Sequence, residues 1–160
     1  MPRIPGWFGV AALVIVLDYL SKVAVLGSFA PGEIRPLAPF FNLVLVFNKG
    51  AAFSFLAGAQ GWQTLFFAAI AVVASAVISF LIVKHRNKVL FCAGLALILG
   101  GALGNLYDRL VYGHVVDFLD FHAAGWHFPA FNVADSAITV GAGILILESF
   151  LQKHADETPA

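Results

Sequence analysis

The sequence predicts an all-α membrane protein, a four-transmembrane-helix bundle with a small β-rich platform between spans 1 and 2. Three observations lead to this prediction: the composition, four long apolar stretches, and a proline-interrupted segment after the first stretch. Of the 160 residues, 61% are hydrophobic and 11% are charged, and the mean hydropathy is +0.91. A soluble domain of this size needs more charge to cover its surface. The formal net charge of zero gives no reason to expect a nucleic-acid partner.

Four apolar stretches are each long enough to cross a bilayer, which takes about 20 helical residues. They cover residues 7–26, 62–83, 89–107 and 131–150. The first stretch has the length of a cleavable signal peptide, but Asp18 and Lys22 interrupt it, so we expect it to be retained. We therefore expect one membrane domain over residues 1–160, with a disordered tail at about 155–160.

Lys and Arg predict which side of the membrane each loop occupies. The terminal segments and the loop between the second and third spans are short and basic; they carry Arg3, Lys84, Arg86, Lys88 and Lys153. The two longer loops hold only Arg35, Lys49 and Arg109. The positive-inside rule then places both termini in the cytoplasm and the two longer loops on the outer face.

The segment between the first two spans, about 28–61, differs from the rest of the chain. Pro31, Pro36 and Pro39 break any helix, and the run 40–47 is rich in β-forming residues and too short to cross as a helix. An open sheet edge cannot face lipid, so we expect a β-rich platform at the outer surface. The later connector, about 108–130, is apolar enough to lie against the membrane.

Polar side chains in and beside the spans gather at one depth. Ionisable groups within spans are costly and usually functional. The predicted topology places nine polar residues near the outer surface: Asp18, Lys22, Asn48, Lys49, Asn105, Asp108, Arg109, Asn132 and Asp135. The inner halves of the spans are almost purely apolar. A small transporter or channel subunit, the alternative from another class, needs polar residues along the full membrane depth. The pattern therefore favours a site at the outer surface.

Helical spacing places several of these residues on shared faces. Asp18 and Lys22 are one turn apart and can form a buried ion pair that orients the first span. Gly101, Asn105 and Asp108 form one stripe, in which the glycine permits close helix approach.

Two carboxylates indicate hydrolytic chemistry. Asn132 and Asp135, taken alone, have the pattern of a helix N-cap with an acidic third residue. A second carboxylate upstream, at Asp117 or Asp120, changes that interpretation. Two carboxylates in a low-dielectric site share one proton, so one can act as general base on water and the other as general acid toward an amide. Arg109 either anchors the interface or binds substrate.

Two rival chemistries use other residues. His114, His122 and His127 with the nearby aspartates are candidates for a zinc-dependent hydrolase, but their spacing matches no familiar metal motif. A Ser–Lys dyad is a second option, drawn from Ser54 or Ser136 with Lys22 or Lys49, although no spacing pairs these residues. We expect no metal and no cofactor.

Five short blocks of sequence surround these polar residues. They are Asp18-x-x-Ser21-Lys22, residues 48–54 (Asn-Lys-Gly-Ala-Ala-Phe-Ser), 101–109 (Gly-Ala-Leu-Gly-Asn-Leu-Tyr-Asp-Arg), 115–118 (Val-Val-Asp-Phe) and 131–135 (Phe-Asn-Val-Ala-Asp). In their order and over nearly the whole chain, these blocks resemble those of bacterial lipoprotein signal peptidase, or signal peptidase II. One departure is Tyr19, where many members have Gln.

The resemblance implies an activity that spacing does not show. Members of this family are intramembrane aspartic endopeptidases of the bacterial inner membrane. They remove signal peptides from diacylglyceryl-modified prolipoproteins just before the lipidated cysteine, near the periplasmic face. The resemblance implies that Asp117 and Asp135 form the catalytic dyad, that Asp18 and Lys22 are a structural pair, and that globomycin-type cyclic peptides inhibit the enzyme.

The resemblance also implies a set of positions that bind substrate or support the site. These are Asn48, Gly50, Gly101, Asn105, Asp108, Arg109, Val115, Asn132 and Ala134. We further expect the platform over 28–55 to clamp the peptide and Phe53 to gate it.

Overall fold

The computed structural model describes residues 4–50 and 62–157. Within them lie four long helices: α1 (Ile4–Leu26), α2 (Trp62–Lys84), α3 (Val89–Val111) and α4 (Val133–Glu157). Each contains a stretch long and apolar enough to cross a membrane, which in α4 is Val133–Gln152. The predicted four-helix membrane bundle is confirmed.

The central helix of the bundle is α3, which packs against all three other helices. Two adjacent glycines on α3 permit two of these contacts. A Cβ on Gly100 would lie 2.6 Å from the Cβ of Val14 in α1, and a Cβ on Gly101 would lie 2.3 Å from the carbonyl oxygen of Ala134 in α4. Both distances are shorter than any real contact, so only glycine allows the helices to approach this closely.

The outer faces of the other helices carry large apolar side chains. Leu65, Val73 and Phe80 of α2 are each more than half exposed. Such exposure would be unfavourable in water, but lipid tails satisfy apolar surfaces of this kind. The helices therefore bury little of their apolar surface against one another because the bilayer covers the remainder.

Four antiparallel strands form a small sheet at one end of the bundle, in the order β1 (Ile34–Ala38), β2 (Phe41–Asn48), β3 (Val115–Ala123) and β4 (Trp126–His127). The first two strands are the platform predicted between spans 1 and 2, which is confirmed. The other two come from the connector between α3 and α4, for which no strands were predicted. We call this end of the bundle the sheet end.

A small apolar cluster attaches the sheet to the bundle. Val25 at the end of α1 packs with Leu45 of β2 and with Val116 and Phe118 of β3. Because β3 begins four residues after α3 ends, this packing holds the start of β3 beside the last turn of α3. The strand is therefore held where its polar residues can meet those of the helices.

Some element boundaries differ from the predicted ones. Helix α3 continues to Val111, so Asp108 and Arg109 lie in its last turns rather than in the connector. Helix α4 continues to Glu157, across part of the tail predicted to be disordered from about 155. Phe53, for which we predict a gating role, lies outside the described residues.

Candidate active site

The first turn of α4 holds Asp135 in a reciprocal capping arrangement. The Asn132 side-chain oxygen accepts a hydrogen bond from the Asp135 backbone N–H at 2.9 Å, and Asp135 Oδ2 accepts one from the Asn132 backbone N–H at 3.3 Å. This is the N-cap arrangement that the sequence pattern indicates. It leaves Asp135 Oδ1 available for contacts outside the helix.

Asn132 also contacts the second carboxylate of the site. Its side-chain nitrogen donates to Asp117 Oδ1 at 2.8 Å, and Asn48 Nδ2 donates to Asp117 Oδ2 at 3.1 Å. Asp117 lies on β3 and is only 2% exposed. One asparagine therefore bonds to both Asp117 and Asp135, although these residues lie on different elements.

Asn105 on α3 supports the same pair. Its Nδ2 donates to Asp135 Oδ1 at 2.7 Å, while its Oδ1 accepts from Asn132 Nδ2 at 3.1 Å. Because the nitrogen of one amide meets the oxygen of the other, both amide orientations are determined by the network. In the stripe of Gly101, Asn105 and Asp108, the glycine therefore lies against α4 and the Asn105 amide donates to the Asp135 carboxylate.

The environment of Asp117 favours its protonated form. Burial, followed by the nearby charge of Asp135, raises the pKa of Asp117 from 3.8 to about 7, against the opposing hydrogen bonds from Asn48 and Asn132. A carboxyl group with this pKa exchanges a proton near neutral pH, as a general acid or base requires.

Asp120, the other upstream candidate, has a different environment. Asn42 Nδ2 donates to Asp120 Oδ2 at 2.8 Å, and His127 Nδ1 lies 2.9 Å from the same carboxylate. Although burial opposes the shift, these two hydrogen bonds hold the pKa of Asp120 below its usual value. Asp120 therefore links β2, β3 and β4 as an ionised group. The structure brings Asp117, and not Asp120, to Asn132 and Asp135.

Arg109 contacts the backbone at Gly50, a few residues after β2. Its guanidinium donates to the Gly50 carbonyl and to the Asn105 carbonyl, both at 3.2 Å, and lies 5.6 Å from the Phe67 ring centre. The Gly50 backbone N–H donates in turn to Asn48 Oδ1 at 2.9 Å. Arg109 therefore helps to hold Asn48, which contacts Asp117.

Two smaller residues of the predicted set pack tightly beside Asp117 and Asp135. Val115 is 2% exposed and pairs with Asn48 at the end of β2, while Ala134 is fully buried against Gly101. Their side chains offer no polar group. They determine how closely β2, β3, α3 and α4 approach one another.

Lys22 has more partners than sequence reasoning predicted. The predicted contact with Asp18 is present at 2.7 Å, but Lys22 Nζ also lies 2.8 Å from Asp108 Oδ2 and 3.0 Å from Asn105 Oδ1. The sequence missed these contacts because they join α1 to α3, and helical spacing reports only neighbours within one helix. The only sequence signal for the contact between Lys22 and Asp108 was that both residues were predicted at the same depth in the membrane. Asn42, the partner of Asp120, was missed for a similar reason.

The histidines do not form the zinc site considered above. His114 packs on Phe47 and Tyr112, whereas His122 stacks on His127. In the part of the chain that the structure describes, no group of three or more His, Cys, Asp or Glu residues is arranged to hold a metal ion. The zinc-hydrolase alternative is therefore not supported. Ser136 donates to the Asn132 carbonyl and makes no hydrogen bond with Lys22.

Comparison with known proteins decides among the remaining classes. Residues 10–151 match the family model described as signal peptidase (SPase) II. The chain belongs to the signal peptidase II family. This membership confirms the resemblance of the five sequence blocks, makes the protein a peptidase, and leaves the transporter or channel alternative without support. With its four spans, this member of the signal peptidase II family is a multi-pass membrane protein.

Individual relatives agree with this assignment. The chain is 61% identical over 142 residues to a lipoprotein signal peptidase of Burkholderia multivorans and 58% identical over 142 residues to one of Paraburkholderia phymatum; in both cases the match covers 89% of this chain and 86% of the relative. Two solved bacterial membrane enzymes have similar folds. For the first, the TM-score is 0.84 and the identity is 28%, and the match covers 96% of this chain and 92% of the enzyme's chain. The TM-score of the other is 0.78 at 30% identity, covering 89% and 90%.

Proposed function

We propose that this signal peptidase is an aspartic endopeptidase whose catalytic dyad is Asp117 and Asp135. The observation that carries the proposal is the shared contact of both carboxylates with Asn132, which is fully buried. Asp117 Oδ1 receives the Asn132 side-chain N–H, and Asp135 closes the capping arrangement with the same residue. Two carboxylates held this way, one with a pKa of about 7, are suited to share one proton.

The reaction needs only these two groups and water. The ionised carboxylate removes a proton from water as the water oxygen attacks the scissile carbonyl carbon. The protonated carboxyl group stabilises the developing oxyanion and then supplies a proton to the leaving amine. The carbon–nitrogen bond breaks, and the products are a carboxylic acid and an amine. Asp117 can carry the shared proton near neutral pH because burial favours its neutral form.

The remaining polar residues hold this pair in place. Asn105 and Asn132 fix the two carboxylates relative to each other through side-chain amides, and Asn48 does the same from β2. Arg109 anchors Gly50, whose backbone N–H donates to Asn48 Oδ1. Through these contacts Arg109 supports the part of the site formed by Asn48.

The proposed substrate is a diacylglyceryl-modified prolipoprotein, cleaved just before its lipidated cysteine. Two named relatives at about 60% identity are lipoprotein signal peptidases. Such a substrate reaches the enzyme laterally in the bilayer, with its acyl chains holding the cysteine at the membrane surface. A dyad at the end of the spans meets that bond without drawing the peptide out of the lipid. Globomycin-type cyclic peptides would inhibit by occupying the dyad.

The proposed orientation follows from the positive-inside rule. Lys84, Arg86 and Lys88 lie at the end of the bundle opposite the sheet, so that end faces the cytoplasm with both termini. The sheet end then faces the periplasm from the inner membrane. Lipoprotein precursors present their modified cysteine on that side.

The test compares three isosteric changes, Asp117→Asn, Asp135→Asn and Asp120→Asn. Each variant is purified, shown to be folded, and supplied with a lipidated prolipoprotein. Loss of a general acid or base costs about 100-fold to 10,000-fold, so we expect losses of that size for the first two variants. Asp120→Asn is the matched control, because it makes the same change at a buried carboxylate of the same strand, and we expect it to keep most activity.

Either of two results would contradict the proposal. Near-normal cleavage by Asp117→Asn or Asp135→Asn would remove that residue from the dyad. An inactive but folded Asp120→Asn would show that the wrong carboxylate of β3 had been chosen. A parallel assay with a strong metal chelator tests the mechanism independently, since a dyad that needs no metal is indifferent to chelation.

A further inference from the structure

The ammonium group of Lys22 lies at the centre of a buried polar cluster. It is within hydrogen-bond distance of Asp18 Oδ2 at 2.7 Å, Asp108 Oδ2 at 2.8 Å and Asn105 Oδ1 at 3.0 Å. A lysine ammonium has three N–H donors, and these three oxygens can accept all of them. The Lys22 side chain is 2% exposed, so the cluster is closed to the surrounding lipid and water.

The two carboxylates that contact Lys22 each also accept a hydrogen bond from a backbone N–H beside the proposed dyad. Asp18 Oδ1 accepts from the Ala134 N–H at 2.8 Å, and Ala134 immediately precedes Asp135. Asp108 Oδ2 accepts from the Val116 N–H at 3.1 Å, and Val116 immediately precedes Asp117. The same relationship therefore occurs twice, once on α4 and once on β3.

These two bonds have local reasons to exist. Ala134 lies in the first turn of α4, where backbone N–H groups have no partner within the helix. Its partner comes instead from α1, a different helix. The start of β3 is likewise held from the last turns of α3 by Asp108. Neither carboxylate is part of the element that it holds.

Lys22 has a third connection to the dyad through Asn105. The Asn105 side chain accepts from Lys22 and donates to Asp135 Oδ1 at 2.7 Å. One side-chain amide, that of Asn105, therefore connects Lys22 to Asp135. One carboxylate connects Lys22 to the backbone N–H of the residue before each aspartate: that of Asp18 to the N–H on α4, and that of Asp108 to the N–H on β3.

We infer that Lys22 is a positioning residue for the catalytic dyad: it holds Asp18, Asp108 and Asn105, which set the two aspartates at their working separation. The inference rests on the proposed function of Asp117 and Asp135. It assigns to Lys22 a role beyond orienting the first span, since a pair that only oriented α1 would need neither Asp108 nor Asn105.

The charge of Lys22 gives its role a second consequence. Its ammonium acts electrostatically on Asp117, as does the guanidinium of Arg109. A nearby cation stabilises the ionised form of a carboxyl group. Removing the ammonium should therefore raise the pH at which the dyad gains its catalytic negative charge.

The test measures kcat, KM and the pH–rate profile of Lys22→Met with one lipidated peptide. A misplacement of about 1 Å at an active site costs about 100-fold in rate, so we expect kcat to fall by about that factor. KM should change little, because the Lys22 side chain is only 2% exposed and is enclosed by its three partners. The acidic limb of the profile should move to higher pH. Lys84→Met is the matched control, since Lys84 is an exposed lysine in the last turn of α2.

Hydrogen exchange supplies a readout that does not depend on activity. If Lys22 holds the two carboxylates, the amides of Val116 and Ala134 should exchange faster in Lys22→Met than in the wild type. The same amides should be unaffected in Lys84→Met. Unchanged exchange at both amides together with a normal kcat would overturn the inference.

A second variant guards against misfolding of Lys22→Met. Asp18→Asn/Lys22→Met leaves the formal charge of the cluster unchanged, and we expect the same loss of kcat from it. If either folded variant keeps the wild-type kcat and pH profile, Lys22 is structural only.

Asp117→Asn, measured alongside, separates the two proposals. An inactive Asp117→Asn with an active Lys22→Met refutes only the positioning role. An active Asp117→Asn refutes the dyad itself.

Discussion

Adding one methyl group at Gly101 should slow catalysis by moving α3 and α4 apart. A Cβ at this position would lie 2.3 Å from the Ala134 carbonyl oxygen and 2.7 Å from Ile138 Cγ1. Ala134 is in the first turn of α4 and immediately precedes Asp135. Neither obstacle is a flexible side-chain end, because one is a backbone oxygen and the other is a β-branched side chain held in a helix. The backbone of α4 must therefore move.

The size of the movement follows from the contact distance. Ordinary van der Waals contact begins at 3.4 Å, against 2.3 Å for the new Cβ and the Ala134 oxygen. The two helices must therefore separate by about 1 Å at this level, which typically costs about 100-fold in rate when it displaces a catalytic group. In free energy this loss corresponds to about 2.7 kcal/mol of barrier. Overpacking should also reduce stability by about 1–3 kcal/mol.

Two further glycine substitutions separate the catalytic effect from the loss of stability. A Cβ on Gly94 would lie 2.8 Å from the Gly141 carbonyl oxygen, which belongs to the same helix pair but lies about two helical turns further along α4 than Asp135. Gly94→Ala should therefore lower the melting temperature but leave kcat per folded molecule close to normal. Gly143 has no atom within 4 Å of its would-be Cβ, so Gly143→Ala should leave kcat unchanged and should not lower the melting temperature, because Ala favours a helix more than Gly does.

The assay is cleavage of a lipidated prolipoprotein by purified enzyme in lipid, normalised to the folded fraction. We expect the order of kcat to be Gly143→Ala, then Gly94→Ala, then Gly101→Ala, with a large gap before the last. A Gly101→Ala variant with wild-type kcat would refute the reasoning that close α3–α4 contact sets the dyad geometry. Equal losses in Gly94→Ala and Gly101→Ala would refute the claim that the effect is local.

Two other predictions concern single side chains. Asn132→Ser keeps a side-chain oxygen that can cap α4 but loses the amide donor to Asp117; because a hydrogen bond to a charged group is worth about 1.5–3 kcal/mol, kcat should fall about 10-fold to 100-fold. Its melting temperature should stay above that of Asn132→Ala, which also loses a cap worth about 1 kcal/mol. The pKa of Asp120 is lower in the folded state than its ordinary value of 3.8. The ionised carboxylate therefore stabilises the fold fully above pH 3.8, and this stabilisation is lost as the pH falls through the pKa of the folded state. Thermal unfolding should therefore show Asp120→Asn to be less stable than the wild type at neutral pH, with the difference shrinking in acid.

Each of these predictions has a clear contrary result. An Asn132→Ser enzyme with normal kcat would mean that the amide N–H groups do not hold Asp117. A stability difference between the wild type and Asp120→Asn that stays constant from neutral to acidic pH would mean that Asn42 and His127 do not stabilise the ionised carboxylate.

The four spans, the β-rich platform and the N-cap of α4 could be predicted from the sequence because each is a local property. Hydropathy over about 20 residues identifies a span, and the spacing of Asn132 and Asp135 identifies a helix start. The common depth of the polar residues also followed from the sequence, since it needs only the order and direction of the spans. These features do not depend on which side chains meet across the bundle.

The choice between Asp117 and Asp120 illustrates what residue patterns alone left open. It depends on β3, a strand that was not predicted, and on its register with β2, in which Asn42 lies opposite Asp120. A shift of one residue would exchange the faces of the strand, and no local pattern determines that register. Until the strand is placed, only the family resemblance favours Asp117.

The contacts of Lys22 with Asp108 and Asn105 have the same origin. They join α1 to α3 and depend on how closely Gly100 lets the two helices approach, which is a property of the packed bundle. The sequence by itself therefore determined which polar residues lie at the sheet end of the bundle. Only the tertiary structure decided which of them touch, because contacts between residues distant in the chain are set by strand register and helix packing.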